Sequence, residues 1–163
     1  MPRITIADAG GKNRCTFLDL IAWSEGTMNQ ARTKDNGYDV IVTGVDGLHN
    51  FSDYTDHPKL LVVVNSKGLQ STAAGRYQLL YKYWRVYRRQ LNLRDFGPVS
   101  QDKVALQQVK EQGALPDIDS GNISSAVEKC SNIWASFPGN TYGQNPHRIE
   151  MLLKMYAKLA TTS

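Results

Sequence analysis

Between residues 26 and 70 the chain abandons helical spacing, and this interruption constrains the fold more than any other feature. Gly, Asn and Asp are frequent there, and two short β-branched runs stand out, Val40-Ile41-Val42-Thr43 and Leu61-Val62-Val63-Val64. Asp46-Gly47 between them is a two-residue hairpin signal, so the stretch predicts a small, irregular β-lobe with long exposed loops. Helical patterns lie on both sides. A first helix is predicted over residues 15–25, ended by Gly26. A second follows Ser71 or Thr72 as cap, with Tyr77, Leu80, Tyr81, Trp84 and Leu91 on one stripe. A third, near 100–112, is stopped by Gly113 and Pro116. A fourth, near 122–136, carries Ile123, Ala126, Val127, Cys130 and Trp134. The last starts at Asn145-Pro146 and offers Ile149, Leu152, Leu153, Tyr156 and Ala160 for burial. The expected class is α+β, a mostly helical body and a small β-lobe with a cleft where they meet. Residues 1–13 are polar and glycine-containing and read as a loosely held arm.

At 163 residues the chain is expected to form one domain whose core needs neither metal nor disulfide. The formal net charge of +4 suits an anionic partner, nucleic acid or a carboxylate-bearing wall polymer, without choosing between them. No stretch reaches the length of a membrane span and the N-terminus is not a signal peptide, so synthesis and folding in a cytoplasm are expected, with no stable membrane association. Cys15 and Cys130 lack a CxxC or His partner, and Cys130 reads as a buried thiol. His49, His57 and His147 are scattered, without metal-ligand spacing, and read as surface or loop residues; neither metal nor cofactor is expected. GxSxG, P-loop and Rossmann signatures are absent. The basic run Arg85-Val86-Tyr87-Arg88-Arg89 fans around a polar helix face and reads as solvated surface, so no nucleic-acid partner is expected.

One carboxylate remains in a chemically suggestive place. Leu18, Ile21 and Ala22 share a helical face with Glu25, which stands at the helix end just before Gly26. Partial burial and the negative end of the helix dipole both favour the protonated carboxyl that a general acid requires. A solvated Glu at a fraying helix end is the plain alternative.

The order of acid-bearing helix, β-lobe and helical body is that of lysozyme-like proteins, and several runs carry a closer resemblance. They include Ala22-Trp23-Ser24-Glu25-Gly26-Thr27, Asn36-Gly37-Tyr38-Asp39-Val40-Ile41-Val42 and Asp53-Tyr54-Thr55-Asp56-His57-Pro58. Gly75-Arg76-Tyr77-Gln78-Leu79-Leu80, Gly113-Ala114-Leu115-Pro116 and Cys130-Ser131-Asn132-Ile133-Trp134-Ala135-Ser136 continue the series, with Tyr142-Gly143-Gln144 at its end. Across residues 14 to 155 the chain resembles the lambda-type endolysins of temperate bacteriophages.

That resemblance implies a lysozyme-like fold and a peptidoglycan lytic transglycosylase, which cuts between N-acetylmuramic acid and N-acetylglucosamine and leaves a 1,6-anhydro sugar. It implies that Glu25, in the Ser-Glu-Gly-Thr run, is the catalytic acid. It also implies a monomer in the host cytoplasm that acts on the glycan strand of the periplasmic wall and reaches it through a separate holin. A hydrolytic muramidase is the alternative, and a non-catalytic wall-binding module a more distant one. A hydrolase normally needs a second carboxylate, for which Asp35 and Asp39 are the candidates. Nine residues separate Glu25 from Asp35, a longer interval than in the T-even phage lysozymes, and Ile41 stands where their motif has Thr.

Substrate contacts are expected from Asp39, Tyr54, Gln78, Trp134 and Tyr142. Asp39 is a candidate sugar ligand, or else a turn carboxylate satisfying backbone amides. Gly75-Arg76-Tyr77-Gln78 is similar to the Gly-x-x-Gln segment of bacterial lytic transglycosylases, where the Gln lines the cleft. Tyr54, Trp134 and Tyr142 are candidate stacking surfaces for sugar rings, with core burial the alternative for Trp134.

Overall fold

Burial begins with the first long helical pattern. In the structure, a computed structural model describing residues 1–139 and 147–162, Lys12–Ser24 forms helix α2 with hardly a residue left in water. Cys15, Phe17, Leu18, Leu20, Ile21 and Ala22 are all buried, so this helix is covered all round and not on a single face. It ends as expected: Glu25 caps it, with its amide donating to the Ile21 carbonyl (2.9 Å), and Gly26 turns away at φ 69°.

The chain divides into two compact units, Met1–Glu25 with Asp102–Ser163, and Gly26–Gln101. In the first, α2 packs against three further helices, α1 (Ile6–Ala9), α5 (Leu115–Asp119) and α7 (Ile149–Thr162). Helix α6 (Ile123–Cys130) packs on α5 and α7. It stops short of the predicted 136, the chain continuing as turns, and it buries the Cys130 thiol as expected, which pushes its pKa up to about 12. Helix α4 (Pro98–Glu111) ends before Gly113, as its terminators predict. The last helix buries Leu152 completely while Leu153 stays 38% exposed. Its predicted start at Asn145-Pro146 lies outside the described residues.

The N-terminal segment corrects the expectation of a loose arm. The amides of Arg3 and Ile4 both donate to Asp102 Oδ2 at 2.8 Å, Ile4 and Ala9 are buried, and Thr5 caps α1 by accepting from the Asp8 amide. A carboxylate 98 residues away in sequence holds this segment, and local composition cannot reveal it.

In the second unit the β content is small. Strands β1 (Val62–Val63) and β2 (Gln70–Ser71) pair antiparallel, Val62 opposite Ser71 and Val63 opposite Gln70. Asn65 closes this hairpin by accepting from the Lys67 and Leu69 amides. The Val40–Thr43 run does not pair with β1; Val40 and Ile41 bridge instead to Asn50 and Ala74. The expected tight turn falls one residue earlier, between the bridged Gly44 and Gly47.

Helix α3 (Tyr81–Gln90) begins far later than its stripe predicts. Ala74 and Leu79 bridge across a turn in which Gly75 and Gln78 take φ of 81° and 52°. Thr72 still serves the helix start from a distance, its hydroxyl accepting from the Tyr81 amide at 3.1 Å. Trp84 is buried edge-on to Phe96, and its indole donates to Asp56 at 2.7 Å. No helix among the described residues is long and apolar enough to cross a membrane.

Candidate active site

The end of α2 delivers Glu25 half-buried, and a serine from the far end of the chain meets it. Ser136 Oγ lies 2.6 Å from Glu25 Oε1 and 3.0 Å from Ser24 Oγ. The Ser24 hydroxyl itself donates back along the helix to the Ile21 carbonyl at 2.9 Å. The Ser136 segment is tied to the same helix end: its carbonyl accepts from the His147 amide (2.9 Å), and His147 Nε2 donates to the Ser24 carbonyl (3.2 Å). The last turn of a helix has carbonyls without intrahelical partners, so an imidazole donor is well placed there. The His147 ring also lies against Trp23, with centroids 4.7 Å apart. Thus Glu25 is not a solvated side chain at a fraying end.

Trp134, of the same unit, is 3% exposed and meets Phe137 edge-on at 6.1 Å. This is the core alternative, and a ring so covered has little face to offer a sugar. Tyr142 lies outside the described residues.

In the second unit Asp39 is 4% exposed and surrounded by donors. The Thr33 hydroxyl, the Lys34 amide (3.0 Å), the Asp35 amide (3.3 Å) and Asn50 Nδ2 (3.2 Å) all point at its carboxylate. With four donors its lone pairs are filled, so the turn-stabilising reading describes what the carboxylate does here. Tyr54 donates to Asp35 Oδ2 at 2.8 Å. Together with Lys34, Asn50, Phe51 and Ser52, these residues line a hollow of about 350 Å³. A second hollow in this unit, about 430 Å³, is lined mainly by Ile41, Val45 and the Leu60–Val63 run and is largely apolar.

The Gly75–Gln78 run is a structural turn. Arg76 is fully buried, its guanidinium 5.2 Å from the Tyr38 ring and 5.9 Å from that of Tyr77, and Nη1 donates to the Asn36 carbonyl. The Gln78 amide donates to the Gly75 carbonyl at 2.9 Å, within its own turn. Among the described residues, no cluster of His, Cys, Asp and Glu could hold a metal ion.

His57 lies in a loop, one of the two places expected for it, but not at the surface. It is 2% exposed, with Nε2 against the Leu79 carbonyl (2.9 Å) and Nδ1 accepting from the Lys59 amide (3.0 Å). These partners require the neutral ring protonated on Nε2. Burial lowers its pKa, against a smaller raising effect of the Leu79 contact. Its neighbour Asp56 is pulled down to about 2: burial opposes this, but hydrogen bonds from Lys59, Trp84 and the His57 amide prevail.

Sequence reasoning missed Ser136 altogether. A serine 111 residues from Glu25, on a stretch with turn character, has no periodicity to link the two.

The sequence model described as endolysin matches residues 15–162. The endolysin of Escherichia phage lambda is 55% identical over 150 residues, covering 91% of this chain and 92% of its own. That of Escherichia phage P2 is 51% identical over 150 residues, with 89% and 91% covered. Among solved structures, bacteriophage lambda lysozyme complexed with a chitohexasaccharide superposes with a TM-score of 0.86 at 52% identity, over 98% of this chain and 97% of that one. A second structure of lysozyme from bacteriophage lambda gives 0.81 at 50% identity over the same shares.

Proposed function

The chain belongs to the endolysin family and has its lysozyme-like, α+β fold, and from that premise we propose that it lyses the host wall as a peptidoglycan lytic transglycosylase with Glu25 as acid and base. The observation that carries this reading is the carboxyl of Glu25, held by a hydroxyl at the end of a largely buried helix. The sugar complex of the phage lambda relative supports a glycan strand as substrate.

The reaction needs one carboxyl used twice. Glu25, protonated, gives its proton to the glycosidic oxygen as the bond to the muramic acid anomeric carbon breaks, through an oxocarbenium-like transition state. The resulting carboxylate then takes the proton of the muramic acid 6-hydroxyl while that oxygen closes on the anomeric carbon. This yields the 1,6-anhydro ring and restores the acid. The nucleophile belongs to the substrate, so its effective concentration is high and no water has to be activated. The four donors on Asp39 favour this over hydrolysis, since that carboxylate is already engaged in holding its loop. Of the other expected contacts, Tyr54, beside Asp35 in the hollow of about 350 Å³, is the one we assign to sugar binding.

Glu25→Gln is expected to fold and bind wall fragments while losing lysis; full activity in that variant would transfer the acid to another residue. Mass spectrometry of digested peptidoglycan should find anhydro-muramic ends, and reducing ends in their place would make the protein a hydrolytic muramidase. The protein acts as a monomer and waits in the host cytoplasm for a holin to open the membrane to the periplasm. Cells expressing it alone should therefore stay intact until permeabilised, and prompt lysis would contradict that dependence.

A further inference from the structure

We propose that Ser136 is the positioning residue that keeps Glu25 aligned in both of its protonation states, an inference that rests on the acid-and-base role given to Glu25 above. Ser136 Oγ has one hydrogen and two acceptors within reach, Glu25 Oε1 at 2.6 Å and Ser24 Oγ at 3.0 Å. The Ser24 hydrogen is directed to the Ile21 carbonyl, which accepts only, so between the two serines Ser136 is the donor. When Glu25 is ionised, the Ser136 hydrogen faces its Oε1, a charge-assisted bond of the short kind seen here. When Glu25 carries the proton meant for the glycosidic oxygen, Oε1 is the carbonyl oxygen of the carboxyl and the Ser136 hydrogen still faces it. The hydroxyl thus donates to one oxygen in both states, and more strongly in the ionised one.

The scaffold fixes this partner. The carbonyl of Ser136 accepts from the His147 amide, and His147 Nε2 donates to the carbonyl of Ser24, the residue before Glu25. Acid and hydroxyl are therefore anchored to one helix end by main-chain contacts.

The test is wall-lysis kinetics of the full-length protein on purified peptidoglycan, with Ser136→Ala, Ser136→Cys and Ser136→Thr. Ser136→Ala should lower kcat about 10- to 100-fold at nearly unchanged KM. It should also move the pH profile of kcat to higher pH, because an ionised carboxylate loses its donor. Ser136→Thr, which keeps the hydroxyl, should restore most of kcat and the original profile. Ser136→Cys keeps the size but is a weak donor, so it should remain slow and alkaline-shifted at wild-type melting temperature, which covers the case in which alanine loosens the loop. Wild-type kcat and pH profile in Ser136→Ala and Ser136→Cys would overturn the assignment, as would a threonine variant as impaired as alanine. Reducing ends in the wild-type digest would overturn the transglycosylase reading instead, while the kinetic contrast among the Ser136 variants would still report on Glu25.

Discussion

Two carboxylates of similar sequence promise have opposite environments. Glu25 is half-buried with a hydroxyl at its Oε1, whereas Asp39 is buried under donors from Thr33, Lys34, Asp35 and Asn50. Asp39 converts the loop 33–39 from a chain with unpaired amides into a fixed turn, which also brings Asp35 to Tyr54. Asp39→Asn replaces one acceptor oxygen by a donor that faces donors, and a buried mismatch at a formerly charged site costs about 2–3 kcal/mol. Urea unfolding should show that loss, and wall lysis should fall only as far as the folded fraction does. A specific collapse of kcat in a fully folded Asp39→Asn protein would return this residue to the chemistry. The resemblance to a family is what points to Glu25 as the acid; the residues alone could not separate it from a solvated helix end. Ser136 was beyond sequence reading because its contact with Glu25 is purely tertiary.

Elements were legible where their signals are local. Helix α2 stops at Glu25–Gly26 and α4 ends before Gly113 because glycine in the left-handed region terminates a helix wherever it stands. Helix α1, the hairpin at Asn65 and the late start of α3 were not legible, since each depends on a side chain bonding to backbone. For α1 the side chain is that of Asp102, for the hairpin Asn65, and for α3 the distant Thr72. The stripe from Tyr77 to Leu91 reads as one helix, yet Gly75 breaks its start by passing close to Gln101. A Cβ built on Gly75 would lie 2.3 Å from Gln101 Oε1, at a φ of 81°. Gln101 has no room to yield, as it holds the Arg76 amide, the Tyr38 carbonyl and the Phe96 carbonyl at once. Gly75→Ala should therefore lose about 2–4 kcal/mol from both left-handed strain and displacement of that amide. Denaturant midpoints check this, and a near-neutral alanine would mean that the turn is free to rearrange.

At the scale of the molecule, stability should follow pH through the neighbours His57 and Asp56. His57 is neutral when folded, and burial lowers its pKa from the ordinary 6.5. The unfolded chain thus binds a proton there at a higher pH than the folded one, and stability rises with pH across that interval. This contribution is complete above about pH 6.5 and is lost as pH falls below it, by at most about 1.4 kcal/mol per pH unit for one proton. The groups facing the ring oppose one another: Asp56 favours its charging, Lys59 disfavours it, and Tyr81 and Phe96 cover it at centroid distances of 5.5 and 4.8 Å. Asp56, held at about 2 by Lys59, Trp84 and the His57 amide, adds stability that is present above the ordinary carboxylate range and lost as pH falls from about 4 through 2. The melting temperature should therefore be level above about pH 7, decline from 6.5 downward, and drop again in strong acid. His57→Asn cannot bind that proton, so it should melt lower than wild type at pH 7.5 yet show a flatter curve between pH 6.5 and 5. An identical slope in both proteins would move the first decline to other groups and leave His57 as packing alone.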